Sequence, residues 1–519
     1  MGVSFFIIYP SSTMDNFRLA LLALFVCSFS SLSGTPILCS DDLRDTLEFY
    51  LSEHSDLSAN DAAEQLEAYL RQKGYPFAQA KAVNLDGRKV ISIKEGKVGN
   101  AKVTGNEHLS TKGILKNLDW NSGDSFNFGK FQRQAAQLNR NRFIVVDTKL
   151  SPNRADDGEV FVDADFKVKD SVPISGNLDI SNNGTPQSSG WRSKLGVEMW
   201  EPFSSFDRIS LSYSTDPLET SELQSYSFSY QASYGSFSHA LFGGFSESEY
   251  SNQVSQSDLF LSDGMYLGFL GSYGFESESL DGISLTYGLT FLKSASQITL
   301  SGFPFSETKV PLVLPRIGLQ GSFQNPWGDG QSFWSGSFVS DLSTSDNAEL
   351  SQQRPGVEKG FFVTNLSFST FEPLDLGLAN GGISLKLNAQ VTSHALPPAL
   401  QKGLGGQSAT RGYKENEGLG DRALLLNLEY RFDSQPGSVF GLEGNFQKLA
   451  FYDFGYSKFE SLPGATSDSS NLQSFGAGMT GSLGSSTDFS ILVGVPMDDV
   501  PDGTQKLQPR AHFGLNIRF

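Results

Sequence analysis

Cysteine is almost missing from this chain of 519 residues. Only Cys27 and Cys39 occur, both near the start. A disulfide framework or a thiolate metal site is therefore excluded for the remaining 480 residues. Histidine is scarce as well, and His54, His108, His239, His394 and His512 are scattered without metal-ligand spacing. Positive charge is in deficit. Lys and Arg number 39 against 57 Asp and Glu, a net charge of −18, which argues against a nucleic-acid partner because phosphate binding needs a basic surface. No G-x-x-x-x-G-K-[ST] loop exists to hold a nucleotide. No G-x-S-x-G elbow and no Ser/His/Asp grouping supports a hydrolase, and no cofactor is implied. After residue 33 no apolar run is long enough to span a bilayer as a helix.

Glycine and phenylalanine are plentiful, at 53 and 42, while the mean hydropathy is −0.23. That mixture suits many short strands with aromatic ends and glycine-rich turns. The first apolar run, Leu19 to Ser33, follows Arg18 and ends in the small residues Ser31-Leu32-Ser33. It reads as a secretory signal peptide over residues 1–33, with Met14 as an alternative start. Bulky Leu38 before Cys39 argues against lipid attachment there.

Residues 41–96 read as N-terminal helices and a truncated unit without an opening strand. Leu43, Leu47 and Leu51 give one helical face, and a second helix starts after Ser58 and stops at Gly74. Two alternating runs then flank Asp86-Gly87, a hairpin signal. Residues 97–170 carry β-α-α-β-β order, a compact α+β unit.

From 173 to 519 the helical pattern vanishes. Runs such as Ile209/Leu211/Tyr213, Tyr226/Phe228/Tyr230 and Phe513/Leu515/Ile517/Phe519 alternate apolar residues with Ser, Gly, Thr, Asn or Lys. About 16 such runs, an even number, fit a closed antiparallel transmembrane barrel with lipid on one face and a lumen on the other. Expected inside turns are short (201–207, 231–238, 276–281, 324–329). Expected outside loops are long (246–263, 292–313, 339–360, 392–422). The fold class is thus an α+β N-terminal region followed by an all-β barrel.

One stretch stands apart. Gly403 to Asp421, GLGGQSATRGYKENEGLGD, lies between the alternating runs Ile383–Leu387 and Leu424–Leu428. It is too long and polar for a turn, and its glycines permit tight backbone paths. It is expected to fold back into the lumen within the loop 392–422.

Together these features resemble the two-partner secretion transporters of the haemolysin-activator type. These pair POTRA (polypeptide-transport-associated) domains with a 16-stranded outer-membrane barrel. Residues 98–169 look like a POTRA domain. Thr410-Arg411-Gly412-Tyr413 is similar to the family's V-R-G-F/Y signature, with Thr in place of Val, and Gly420-Asp421 match its downstream Gly-Asp pair. Phe451-Tyr452-Asp453-Phe454-Gly455 matches F-x-D-x-G in full. The resemblance covers roughly residues 57–519. It implies that Arg411 pairs with Asp453 on the barrel wall. The terminal run Phe513, Leu515, Ile517, Phe519 fits the signal read by the barrel-assembly machinery.

The expectation for function is a translocator, not an enzyme. A secreted exoprotein would be received by POTRA strand edges and exported through a monomeric barrel in outer-membrane lipid, without nucleotide. An insertase of the same superfamily is the alternative. An outer-membrane hydrolase is the reading from another class, and it lacks its motif.

Overall fold

The structure is a computed structural model. It describes residues 37–519 except 40–46, 49, 51–56, 86–87, 140–142, 156–157, 185–189, 204–206, 235, 253–254, 276–281, 301–302, 375–379, 440, 461–468 and 502. The expected signal peptide and Cys27 lie outside the described residues. The chain divides into two units between Val172 and Pro173.

The N-terminal unit holds two three-stranded sheets. The first contains β1 (Ile37–Leu38), β2 (Gln79–Leu85) and β3 (Arg88–Lys94) in the order β1-β3-β2, with β1 parallel to β3. This corrects the expectation of a unit without an opening strand. That strand exists upstream of residue 41, and two residues are too short to show a period. Helix α1 (Ala59–Gln72) is capped by Ser58, whose side chain accepts from the Asp61 amide. It buries Ala62, Ala63, Leu66 and Leu70 against Ile91 and Ile93, and Leu47 lies in the same cluster. Leu47 therefore belongs to this unit's core.

The second sheet contains β4 (Gly96–Thr104), β5 (Ile144–Arg154) and β6 (Val160–Asp170) in the order β4-β6-β5, with β4 parallel to β6. Between β4 and β5 run α2 (Thr111–Asn117), capped by Ser110, and α3 (Phe128–Leu138). Trp120 packs edge-on against Phe126, Phe131 and Phe166, with centroids 5.3 to 6.0 Å apart. Asp170 ends β6 by accepting from the amides of Glu107, His108 and Leu109 at 2.9, 2.9 and 2.7 Å. Burial alone would raise its pKa. The three amides outweigh that and hold the carboxyl below its ordinary value of 3.8.

The second unit is a closed barrel. Its strands are β7 (Ile174–Ser181), β8 (Arg192–Trp200), β9 (Arg208–Thr215), β10 (Leu223–Tyr234), β11 (Phe237–Asn252), β12 (Ser255–Gly274), β13 (Ile283–Leu300), β14 (Phe303–Gln324), β15 (Gln331–Ser340), β16 (Phe362–Leu374), β17 (Gly381–Val391), β18 (Arg422–Phe432), β19 (Gln435–Val439), β20 (Leu442–Lys458), β21 (Ser469–Leu483), β22 (Thr487–Pro496) and β23 (Arg510–Arg518). β18 and β19 both pair with β20 and form one interrupted stave. The barrel therefore has 16 antiparallel staves. Leu195, Leu211, Phe228, Leu241, Leu289 and Leu319 are exposed on the outer face. No helix among the described residues is long and apolar enough to cross a membrane.

Strands β11 to β14 are 16, 20, 18 and 22 residues long. About ten residues suffice to cross the hydrocarbon. The stretches 246–263 and 292–313 are expected as loops, but their described residues, 246–252, 255–263, 292–300 and 303–313, are strand and belong to extended hairpin arms. Beyond the lipid no apolar face is required, so the alternation fades while backbone pairing continues. The ring closes where β23 pairs with β7 over five residue pairs, and Phe519 and Gly176 exchange backbone hydrogen bonds of 2.7 and 2.9 Å. Phe513, Leu515 and Ile517 lie on β23, opposite Ile491, Phe489 and Thr487 of β22.

Candidate functional site: a loop seated against the barrel's inner wall

The long connection between β17 and β18 is the one between staves 11 and 12. Alternate residues of β20 (Leu449, Phe451, Asp453, Gly455, Ser457) are buried, while Tyr452 and Tyr456 on the other face are not. A period of two makes these five the inner face. The loop lies on them.

Arg411 sits at the centre, 4% exposed. Its Nε and one terminal nitrogen reach the two Asp453 carboxylate oxygens, both at 2.7 Å, and its own amide donates to Asp453 Oδ2 at 3.0 Å. This is the bidentate fork that guanidinium geometry favours. The other terminal nitrogen donates to Glu429 of β18 at 2.6 Å. Arg431 holds the second Glu429 oxygen at 2.6 Å. The four formal charges sum to zero. The guanidinium also stacks 3.6 Å from the Phe451 ring centroid. Asn427 donates to Asp453 Oδ1 and to the Ala409 carbonyl, binding wall and loop together.

The neighbouring motif residues are each placed by contact. Gly412 has φ +95°, and a Cβ there would meet the Gly494 backbone at 3.0 Å. Its amide donates to His512 Nε2 of β23 at 2.9 Å. The Tyr413 hydroxyl donates to the Gln473 carbonyl at 2.8 Å and accepts from the Asp498 amide at 3.1 Å. Gly455 makes room for Thr410, since a Cβ would come within 2.7 Å of its hydroxyl. That hydroxyl is buried without a hydrogen-bond partner among the described residues. A Cβ at Gly420 would meet Ser457 at 2.7 Å.

Asp421 closes the base of the loop and is fully buried. It accepts from Arg354 at 2.6 Å, from the Leu396 amide at 3.0 Å and from the Glu460 amide at 2.7 Å. Arg354 follows α4 (Asn347–Gln353) in the connection between β15 and β16. Leu350, Val357 and Phe361 of that connection pack on Val310, Leu312 and Leu314 of β14.

Sequence reasoning did not single out Glu429, His512, Asn427 or Arg354. Glu429 and Asn427 had a signal, as polar residues two apart on the inward face of a leucine-rich strand. Arg354 had none, because nothing local in a loop names a partner 67 positions away. Among the described residues no cluster of His, Cys, Asp or Glu could hold a metal.

Comparison with known proteins points the same way. A family model described as haemolysin secretion/activation protein ShlB/FhaC/HecB matches residues 163–299 and 320–481, more than half of the chain. The chain is similar to the heme/hemopexin transporter protein HuxB of Haemophilus influenzae (strain 86-028NP), 26% identical over 199 residues. That similarity covers 37% of this chain and 34% of the relative, about a third of its length. Among solved structures, CdiB from Escherichia coli matches with a TM-score of 0.73 at 14% identity, covering 99% of this chain and 100% of that one. CdiB from Acinetobacter baumannii matches at 0.70 and 15% identity over 98% of each chain. BamA from Haemophilus ducreyi lacking POTRA domains 1–3 matches at 0.51 and 13% identity, covering 94% of this chain and 100% of that one. At these identities the structural likeness establishes the fold.

Proposed function

The chain belongs to the haemolysin secretion/activation family of two-partner secretion transporters, and from that premise we propose that it exports an unfolded exoprotein from the periplasm through its barrel. It is an outer-membrane β-barrel with an N-terminal POTRA region. The carrying observation is the seat of Arg411, which fixes a long loop against the inner wall by a fork on Asp453 and a second bond to Glu429. A barrel of this size has a lumen wide enough for water and needs such an occupant. Export needs no nucleotide, because folding of the exoprotein outside makes passage one-way.

In this reading the client enters along a POTRA sheet edge. Strand β5 ends its sheet, and among the described residues only Val146 has its outer backbone groups bonded, to Asn139 at 2.7 and 3.3 Å. The stretch beyond Val146 offers an edge for β-augmentation, in which main-chain hydrogen bonds give affinity with little sequence demand.

The test is co-expression with a large exoprotein encoded beside this chain, measuring its release at the surface. Arg411→Ala should abolish release while barrel insertion is retained, since removing one member of a buried pair costs about 3–5 kcal/mol at the seat. Unchanged release from that variant would sink this reading. Barrel-assembly defects on deletion, with no client exported, would move the protein to the insertase class.

A further inference from the structure

The chain as a whole is acidic, yet one side of its lumen carries only positive charge. The inner face can be followed from strand to strand, because residues directly opposite each other in a ladder share a face. Leu425 packs with the loop residues Leu404 and Tyr413, so its face is the lumen. Leu425 lies opposite Asn388, Asn388 opposite Ser367, Ser367 opposite Ser335, and Ser335 opposite Gln320. Stepping by two along these strands places Lys386 and Arg316 on the same face. Among the described residues, the inward positions of β13 to β17 otherwise hold hydroxyls, amides, glycine and apolar groups, and no carboxylate.

Arg316 and Lys402 line one cavity of about 170 Å³ together with Ser335, Ser367, Asn388 and Gln390. Arg316 also borders a second cavity of about 370 Å³ between β10 and β14. Among the described residues neither Arg316, Lys386 nor Lys402 has an ion pair or a side-chain hydrogen bond. Lys194 of β8 and Arg510 of β23 face the lumen as well and also lack an ion pair among the described residues, but each lies apart from this stretch of wall, whereas the remaining inward cations are paired or close to a carboxylate. Arg411 and Arg431 are bound to carboxylates, and Arg208 lies 3.7 Å from Glu198.

We propose that Arg316 and Lys386 on the wall, with Lys402 at the edge of the loop, form a carboxylate-binding track in the lumen, which engages acidic side chains of the passing polypeptide. Guanidinium and ammonium groups that face water and lack partners attract anions over several ångströms. The surrounding serines and amides add hydrogen bonds without charge, so carboxylates are held briefly and released. The track rests on the export reading for its ligand, but its charge can be tested without any client.

The test uses the full chain with Cys27 and Cys39 replaced by Ser, which leaves it free of thiols. Ser367→Cys, with Ser335→Cys as a second reporter, is labelled with an anionic and a cationic methanethiosulfonate. Each rate is divided by that of the same reagent on a free thiol. The anionic reagent should react about threefold or more faster, and the ratio should fall towards one in the Arg316→Gln/Lys386→Gln/Lys402→Gln variant. A cationic preference, or a ratio unmoved by the three substitutions, overturns the proposal. A second arm separates client carboxylates from free anions. Export of an exoprotein and of its copy with one acidic segment changed to Gln is compared in both backgrounds. Loss of the triple variant's export defect with the neutral copy supports the client as ligand, and equal export of both copies in both backgrounds overturns it. Failure to export anything, with the labelling preference intact, counts against the export reading and not against the track.

Discussion

At the scale of single residues, Thr410 is the informative position. Its hydroxyl is buried beside Gly455 and has no hydrogen-bond partner among the described residues. Threonine and valine have the same shape, so Thr410→Val should remove an orphaned polar atom and leave the packing unchanged. A buried unsatisfied group costs about 1–3 kcal/mol. The variant should raise the temperature at which the barrel unfolds in heat-modifiability gels, by an amount corresponding to about 1 kcal/mol. A lower temperature would mean that the hydroxyl has a partner in the membrane. Arg411 and Asp453 were legible in the sequence because each sits in a short motif with a fixed residue order. Glu429 and His512 were not, because each completes the seat from a strand chosen by barrel register. His512 looked like one of five scattered histidines, and only the meeting of the last stave with the loop tip gives it a role.

At the scale of elements, strand period and turn chemistry were readable wherever lipid or a core enforced them. The amphipathic α1, with Ser58 before it, and the alternating staves are examples. Reading failed where nothing enforces a face, as in the arms of β11 to β14, and where an element is two residues long, as in β1. Two predictions belong here. Asp170 joins the end of β6 to the loop after β4, and its folded pKa is lowered. Its stabilisation is therefore present above the ordinary value of 3.8 and is lost as the pH falls through the lower folded value. Asp170→Asn should weaken this unit by about 1 kcal/mol at neutral pH, seen as faster hydrogen exchange in 97–170 of the full chain, and should flatten the acid dependence there. The second concerns the edge of β5. Val146 points its backbone groups away from β6 towards Asn139, so Thr148, two residues on, does likewise. Thr148→Pro removes one outward amide and spares the β6 ladder. Export should fall severalfold while exchange protection of β6 is kept, and full export would remove this edge from the entry route.

At the scale of the whole molecule, closure of the ring depends on a short seam. Five residue pairs join β23 to β7, against fifteen between β20 and β21. The Phe519 ring covers Gly176, where a Cβ would come within 2.2 Å of it. Gly176→Val should displace that ring and lower the unfolding temperature of the barrel in heat-modifiability gels by several degrees, with the Arg411 seat intact. An unchanged temperature would show that the seam contributes little to closure.

The placement of the loop's anchors has a mechanical result. From Gln407 to Leu419 its bonds run to β18, β20, β21, β22 and β23, all on one arc of the ring. In the export reading, a chain that passes beside the loop bears on its free flank and presses it into these anchors, so load from transit would act as compression on the seat rather than as tension that would pull it free.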